Sequence, residues 1–267
     1  MNVLRTILAT TVLCFCSEFT FCFDLIFDAR IDYAAGLFPR GIAAADFDGD
    51  GYADLAVVDD SSNSVILLKN NQDGTFAQTG QFEVGDDPWS IAAADFDADG
   101  RIDIAVANRG SHQVSLMINS GGGTFKLPSN YSVGLQPTFV LAVDVDGNGS
   151  IDLVTADDHY RSATVLKSNG DGTFAASVSY WIGYGTQAVA SSDVNIDGYP
   201  DLIAGKFETD SVTVLFNTGQ GTFVKISSYS AGVHPTYATA TDLNGDQKPD
   251  LVVPNYGSRN ISVLLAD

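Results

Sequence analysis

The sequence predicts an all-β protein, a β-propeller of five four-stranded antiparallel blades. The first observation behind this prediction is a constant step of 49 residues between five acidic stretches, which begin at Asp46, Asp95, Asp144, Asp193 and Asp242. The second is that each repeat contains four short β-rich apolar runs, with Gly, Asn, Asp and Ser at their junctions. Four antiparallel strands in a repeat of this length are typical of a propeller blade.

Other landmarks keep the same step. The tripeptide GTF begins at Gly74, Gly123, Gly172 and Gly221. An aromatic residue recurs at Tyr33, Phe82, Tyr131, Tyr180 and Tyr229, and a glycine recurs at Gly36, Gly85, Gly134, Gly183 and Gly232. A period this constant indicates one structural unit that is copied without insertions. No segment shows ten or more residues of helical periodicity with caps, which argues against an α-solenoid.

The two ends of the repeat region predict how the ring closes. Phe27 lies one period before Phe76, so residues 27–36 match the fourth strand of a unit, while the chain stops in the third strand of the fifth unit. We therefore expect the N-terminal strand to complete the last blade and to remove the exposed sheet edges. The alternative is that the five blades belong to a larger ring.

Residues 1–22 have the pattern of a secretory signal peptide, since Arg5 is followed by an apolar run over residues 7–15. Cleavage after Cys16 and cleavage after Cys22 are both compatible with the small residues there. The alternative interpretation is an uncleaved anchor that reaches on to Phe23.

The mature part, residues 23–267, is predicted to be a single propeller domain. All three cysteines lie in the leader, so this domain has no internal disulfide and needs another source of rigidity. We expect a secreted, extracellular monomer with no membrane span in the mature chain. The formal net charge of −20 disfavours nucleic acids and anionic membrane surfaces as partners.

The acidic stretches have the donor pattern of a cation site. Carboxylates at loop positions 1, 3, 5 and 9, together with a backbone carbonyl at position 7, can converge on one hard cation, and Ca²⁺ accepts six to eight oxygen ligands. The loops hold no cysteine or histidine, which argues against a soft metal. Glycine at position 6, as in Gly51, permits a tight backbone turn. The alternative is an acidic surface turn that is merely well solvated.

The order aromatic-x-x-Gly, then IAAADFDGDGYADLAV, then VILLKNNQDGTF resembles the FG-GAP or VCBS-type repeats of integrin α-subunit heads and of many secreted bacterial proteins. The resemblance implies that each acidic loop joins the innermost strand to the second and holds Ca²⁺, up to five ions in all. The implied side-chain ligands are Asp46, Asp48, Asp50, Asp54, Asp95, Asp97, Asp99, Asp103, Asp144, Asp146, Asn148, Asp152, Asp193, Asn195, Asp197, Asp201, Asp242, Asn244, Asp246 and Asp250. The implied carbonyl ligands are those of Tyr52, Arg101, Ser150, Tyr199 and Lys248.

The chain departs from this family pattern in two ways. It has five units where seven are common, and Gln247 replaces the position-6 glycine in the fifth loop. Position 12 lacks the bidentate Glu of an EF-hand, so the ninth-position aspartates are expected to take that role. Counting carboxylates and this glycine, we expect loops one and two to bind Ca²⁺ most tightly and loop five least tightly.

The opposite ends of the strands are the expected ligand-binding face. The residue after the recurrent proline position differs from unit to unit, which is where specificity can vary on a repeated scaffold: Arg40, Trp89, Thr138, Gln187 and Thr236. Trp89 is the foremost candidate, as an exposed indole offers a flat apolar platform; alternatively it fills a gap near the central channel. The loops between second and third strands add Tyr160, Arg161 and Tyr256 as candidate contacts.

These observations predict a calcium-stabilised binding or adhesion module for an extracellular protein or carbohydrate. One alternative is a carbohydrate-active or other hydrolytic enzyme, and another is a structural spacer. We expect no enzyme, because none of the three histidines adjoins an activated-serine motif and most clustered acids lie in the loops. Asp157 and Glu208 are the acids outside the loops that an enzyme would have to bring to one cleft.

Overall fold

The computed structural model describes residues 30–267, apart from the side chains of residues 225 and 226. The fold is all-β, and Ala34–Asp267 forms one compact unit. The predicted signal peptide, residues 1–22, lies outside the described residues, so it stays a prediction. Within residues 30–267, no helix has the length and apolar character needed to cross a membrane.

The first four blades are four-stranded antiparallel sheets. Blade one contains β1 (Pro39–Ala45), β2 (Asp54–Asp59), β3 (Ser64–Asn70) and β4 (Phe76–Glu83), with a short 3₁₀ helix over Asp60–Ser62. Blade two contains β5 (Pro88–Ala94), β6 (Asp103–Asn108) and β7 (Gln113–Met117), then a hairpin of β8 (Asn119–Gly121) and β9 (Thr124–Phe125), and finally β10 (Ser129–Ser132). Blade three contains β11 (Pro137–Val143), β12 (Asp152–Asp157), β13 (Ser162–Leu166) and β14 (Val178–Trp181). Blade four contains β15 (Val189–Ser192), β16 (Asp201–Lys206), β17 (Ser211–Asn217) and β18 (Phe223–Ser230).

The fifth sheet has three strands among the described residues, β19 (Thr239–Thr241), β20 (Asp250–Asn255) and β21 (Asn260–Leu264). Residues 30–36 belong to no strand, so this part of the expected fourth strand is not formed, and residues 27–29 lie outside the described range. The face of β21 is open, since Ile261 is 64% exposed whereas its equivalent in blade one, Val65, is fully buried. A five-bladed ring closed by residues 27–36 therefore stays a prediction.

The second strand of each blade is apolar and buried along most of its length. In β6 all six residues are buried, and in β2 five of six are. This pattern arises because a blade is covered on both faces by its neighbours, so both sets of alternating side chains need apolar partners. Val65 and Leu67 of blade one, for example, pack in one cluster with Ile104 and Val106 of blade two.

The recurrent aromatic and the recurrent GTF phenylalanine are two halves of one contact. Phe82 of blade one meets Phe125 of blade two edge-to-face, with ring centroids 5.3 Å apart. The same pair recurs between later blades as Tyr131 with Phe174 at 5.2 Å and Tyr180 with Phe223 at 5.4 Å. Edge-to-face geometry is the favoured arrangement of aromatic rings. Each of the first three blades is thus joined to the next by the same aromatic pair.

The recurrent glycine leaves room for a buried polar side chain at the end of the second strand. A Cβ atom at Gly36 would lie 2.1 Å from the Asp59 carboxyl carbon, and one at Gly134 would lie 2.3 Å from an Asp157 oxygen. Any other residue would clash there. The buried polar residues at this position are Asp59, Asn108, Asp157, Lys206 and Asn255.

The two ends of each blade carry different loops. In blade one, β1 starts beside Arg40 and stops at Ala45, directly before the first acidic loop. A seven-residue strand spans roughly 20 Å. We call the end with the acidic loops the acidic end, and the end where the first strands begin the pocket end.

Candidate functional site

At the acidic end, the first aspartate of each loop closes the turn by accepting backbone hydrogen bonds. Asp46 Oδ1 accepts from the amides of Gly49 and Asp50 at 2.8 and 3.1 Å, and its Oδ2 accepts from Gly51 at 2.8 Å. The fifth position repeats this on a smaller scale, since Asp50 Oδ1 accepts from the Tyr52 amide at 3.0 Å. Equivalent bonds occur in the other four loops at positions 1 and 5. The turn therefore forms around its own carboxylates.

Three loops bring three carboxylates together. Loops one and two do so with positions 1, 3 and 5, and loop three with positions 1, 3 and 9; in each set one oxygen per residue lies within 4.8 Å of the others. The sets are Asp46, Asp48 and Asp50; Asp95, Asp97 and Asp99; and Asp144, Asp146 and Asp152. Loops four and five place asparagine at position 3, Asn195 and Asn244, whose amides donate to the position-5 aspartates.

Basic side chains approach the carboxylates of the first three loops. Lys69 Nζ contacts Asp48 and lies 3.1 Å from Asp50 Oδ2. Arg101 contacts Asp99 within its own loop, and Lys167 Nζ lies 3.6 Å from Asp146 Oδ2. These cations occupy the region that the sequence assigns to a metal, and they partly neutralise the like charges. The hydrogen bond from Lys69 lowers the pKa of Asp50.

The ninth-position aspartate is buried and already committed to the fold. Asp54 Oδ2 accepts from the Phe47 amide at 3.1 Å, and its Oδ1 accepts from the Asn70 amide at 2.8 Å. The equivalent aspartates of the other blades make the same two bonds. Burial raises the pKa of Asp103 to about 6 and also raises the pKa of Asp152 and of Asp201. The position-9 aspartate therefore connects its acidic loop to the end of the third strand. Its expected role as a bidentate Ca²⁺ ligand stays a prediction.

Two loop positions need a left-handed backbone. Position 6 has φ near 90° at its four glycines and 69° at Gln247. Position 4 is left-handed as well, at Gly49, Ala98, Gly147, Ile196 and Gly245. Position 4 is not among the turn positions predicted from the sequence, although glycine in three of five loops is a usable signal. A β-branched residue such as Ile196, with φ of 61°, is strained there.

Neighbouring loops are joined by donors from the following blade. The Asn119 side chain donates to the Phe47 carbonyl in loop one at 2.8 Å, and the Asn217 side chain donates to the Val145 carbonyl in loop three at 2.6 Å. In loop two the carbonyl of Phe96 accepts from the Gly172 amide at 3.2 Å. The residue of blade five that corresponds to Asn119 and Asn217 is Ala266, whose methyl group cannot donate.

The donor set at the acidic end fits a hard cation. Asp146 Oδ1 is buried and has no hydrogen-bond partner, so loop three holds a carboxylate oxygen that lacks a ligand. Burial first, and then the neighbouring charge of Asp99, raise the pKa of Asp97. Oxygen-only donors in these numbers are what Ca²⁺ binds.

At the pocket end, the five residues that follow the recurrent proline position line one cavity of about 650 Å³, which we call the central cavity. This volume is within the range of small-molecule sites. The wall also contains three residues that the sequence argument missed as site residues, Arg109, Asp158 and Phe139. Arg109 and Asp158 follow the second strands of blades two and three, and the pairing of first and second strands brings each beside the post-proline residue of its own blade. The residues expected from sequence in this cavity are Arg40, Trp89, Thr138, Gln187 and Thr236.

Trp89 is not a bare platform, because two guanidinium groups lie over its indole. The Arg40 carbon Cζ is 4.1 Å from the ring centroid, and that of Arg109 is 5.2 Å away. Each arginine is also paired, Arg40 with Asp60 at 2.9 Å and Arg109 with Asp87 at 3.1 Å. The indole therefore positions two cations at the cavity wall.

The other candidate contacts do not line this cavity. Tyr160 is exposed, and Arg161 lies over the ring of Tyr184 at 3.4 Å. Tyr256 is 74% exposed and lines a second cavity at the edge of blade five, together with Arg259 and Ile261. The structure thus separates the predicted ligand residues into one central group, Arg40 and Trp89, and three outlying residues.

Three solved structures resemble this chain in fold. Each is less than 25% identical to it in sequence, so the similarity shows the fold and nothing about the role of the chain. A lectin of Agrocybe aegerita that recognises non-reducing terminal N-acetylglucosamine is 22% identical, with a TM-score of 0.53, over 84% of this chain and 65% of the lectin. BBS1N in complex with ARL6DN is 13% identical, with a TM-score of 0.57, over 85% of this chain and 69% of that chain. The biofilm matrix protein Bap1 of V. cholerae is 20% identical, with a TM-score of 0.53, over 85% of this chain and 37% of Bap1.

Comparison with curated proteins gives no match. The FG-GAP-like repeat family, in contrast, matches four overlapping stretches, residues 46–106, 95–155, 144–204 and 193–253. Each match begins at the first aspartate of an acidic loop and ends in the second strand of the next blade. Together the matches cover more than half of the sequence, and they show that this chain belongs to the FG-GAP-like repeat family.

Proposed function

We propose that the protein is a secreted, calcium-stabilised binding module that holds a glycan or protein ligand at its pocket end. The observation that carries this proposal is the convergence of the five post-proline positions on one cavity. These positions are equivalent in the repeat but differ in side chain, so the fold does not dictate their identity. Residues that vary on a constant scaffold are suited to specific recognition.

Calcium has a structural role in this proposal. The carboxylates at positions 1, 3 and 5 would hold the ion, supported by position 9 and the carbonyl at position 7. A bound Ca²⁺ supplies charge neutralisation to loops such as loop two, where three carboxylates face one another. Because the native loops bind the ion and the unfolded chain lacks these sites, calcium favours the folded state. An extracellular setting provides millimolar calcium, which suits sites of 10⁻⁴ to 10⁻³ M affinity.

A binding role is favoured over catalysis by the state of the acids outside the loops. Asp157 is buried and accepts hydrogen bonds from Thr155, Ser162 and Thr164, so its oxygens are engaged within the blade. Among the described residues that line the central cavity, Asp158 is the one acid. Most glycosidases need two carboxyl groups at one cleft.

The test is a glycan and protein binding array with two variants. Trp89→Ala removes the indole that positions Arg40 and Arg109, and it should abolish the binding of any ligand that the wild-type protein retains. Tyr160→Ala alters an exposed aromatic residue outside the cavity and should leave binding intact. Retained binding by the Trp89 variant would place the ligand elsewhere. Repeating the array in chelator tests whether calcium supports the fold, and equal melting temperatures in calcium and chelator would contradict the stabilising role.

A further inference from the structure

Two arginines share one wall of the central cavity, although the protein carries a net charge of −20. Both guanidinium groups lie over the Trp89 indole, at 4.1 and 5.2 Å from its centroid, and both line the cavity. Like charges repel at such short separations, so the arrangement needs compensation. Asp60 and Asp87 supply part of it by pairing with one arginine each.

Each guanidinium keeps donors for a ligand. Arg40 donates through Nε and Nη2 to the same oxygen of Asp60, and Arg109 donates through Nη1 to one oxygen of Asp87. A guanidinium has five N–H groups, so both arginines retain N–H groups with no acceptor among residues 30–267. Planar N–H pairs of this kind match the two oxygens of a carboxylate.

The rest of the wall offers groups that bind hydroxyls. Asp158, Gln187 and Thr236 all line the cavity, and within the described residues none of their side chains makes a hydrogen bond. Carboxylate and amide oxygens accept from hydroxyl groups, and the amide N–H groups donate to them. The cavity of about 650 Å³ is large enough for one or two sugar rings.

Resting on the function proposed above, we propose that the cavity binds a sugar bearing a carboxylate, such as a uronic acid residue. The carboxylate pairs with Arg40 and Arg109, and the ring hydroxyls bond to Asp158, Gln187 and Thr236. An acidic peptide also offers a carboxylate. It lacks the adjacent hydroxyl groups that would bond to Asp158, Gln187 and Thr236.

The net negative charge of the protein does not prevent this binding. All five acidic loops lie at the opposite end of the blades, roughly 20 Å away along the first strand. At physiological ionic strength the screening length is about 8 Å. The acidic loops therefore contribute little repulsion, and the charges that act on the ligand carboxylate are those at the pocket: Arg40 and Arg109 with their partners Asp60 and Asp87, and Asp158 in the wall.

The experiment measures binding by calorimetry in millimolar calcium and 0.15 M NaCl. It compares methyl β-D-glucuronide with methyl β-D-glucoside, which carries a hydroxymethyl group where the glucuronide carries a carboxylate. The glucuronide should bind at least about tenfold more tightly, since charge-assisted hydrogen bonds are stronger than neutral ones. Arg109→Gln should remove most of that preference. Lys126→Gln removes one exposed positive charge outside the cavity and should preserve it, and melting curves check that both variants are folded.

The possible outcomes separate this inference from the proposed function. Equal binding of both sugars would overturn the carboxylate preference while leaving a glycan-binding module. Binding of hexaglutamate but of neither sugar, if lost in the Arg109 variant, would overturn the sugar class in favour of an acidic peptide. If neither sugar and no peptide binds, the inference fails, and the proposed function then depends on the array alone.

Discussion

At the acidic end, all five repeats place aspartate at loop positions 1 and 9, whereas at the pocket end the five equivalent positions hold arginine, tryptophan, threonine, glutamine and threonine. The aspartates are constant because each one bonds to backbone amides of its own blade. The pocket side chains make few such bonds. Constancy at one end thus reflects folding requirements, and variety at the other leaves room for recognition.

Among the substitutions that test this difference between the two ends, Asp103→Ala should have the largest effect on the free energy of unfolding. The substitution leaves two buried amides, those of Phe96 and Asn119, without an acceptor. We expect a loss of about 3 kcal/mol in the free energy of unfolding, most of which persists in chelator. Asp97→Ala, in the same loop, should reduce stability in calcium only. Urea denaturation of both variants measures this, and a calcium-dependent loss for Asp103→Ala would show that position 9 acts mainly through the metal.

A pH effect should come from the pocket end of blade one. Burial acts to raise the pKa of Asp59, but hydrogen bonds from Ser62, the Phe38 amide and Ser61 outweigh it and lower the pKa to about 2. Since the folded pKa lies below the unfolded value, the ionised carboxylate stabilises the fold above pH ~4, by about 2 kcal/mol, and this contribution disappears as the pH falls towards 2. Denaturation in chelator should show that Asp59→Asn is less stable than the wild type at pH 5 and that the difference shrinks by pH 2.5. A constant difference would contradict the assignment.

Lys69→Met should change calcium affinity in loop one. Lys69 contacts two carboxylates that the metal would use, so an incoming Ca²⁺ must displace it. We expect about tenfold tighter binding at loop one in the variant and lower stability without calcium. Lys167→Met is the matched control, since Lys167 lies 3.6 Å from one carboxylate and should have a smaller effect. Site-resolved titration decides, and unchanged affinity at loop one would show that Lys69 does not compete with the ion.

The smallest effect is a gain. Ile196→Gly relieves a left-handed backbone at position 4 of loop four, and we expect about 1 kcal/mol of added stability after allowing for the greater freedom of glycine in the unfolded chain. Gly147→Ala, the reverse change at the same position of loop three, should destabilise. Thermal melting of both variants measures this. A destabilised Ile196→Gly protein would show that the Ile196 side chain makes a contribution that outweighs the strain.

The positions of the strands were predictable because equivalent strands recur every 49 residues. Once β2 was placed in blade one, β6, β12, β16 and β20 followed at the same step, and the structure confirms the all-β propeller class. Closure was harder to predict, because it depends on pairing between the two ends of the chain. Residues 30–36 carry the matching pattern but form no strand, so closure stays a prediction.

The candidate sites were predictable in position but not in chemistry. The loop spacing identified the aspartates, yet it could not reveal that Asp54 bonds to two amides or that Lys69 reaches across from the third strand. Both facts depend on side-chain reach between elements that are distant in sequence. The same holds for Arg109, which reaches Trp89 because β5 and β6 pair within blade two.

The hydrogen bonds that tie acidic loops to the following blade have a consequence for the way in which the loops would bind calcium. The Phe47, Phe96 and Val145 carbonyls each accept a hydrogen bond from the following blade, so each of loops one to three is tied to the next blade. Ordering one loop around an ion would reduce the conformational freedom that the next loop has left to lose, which is positive cooperativity. The series stops at Ala266. The fifth loop should therefore fill independently, with a Hill slope near one, while the other four fill along a steeper curve.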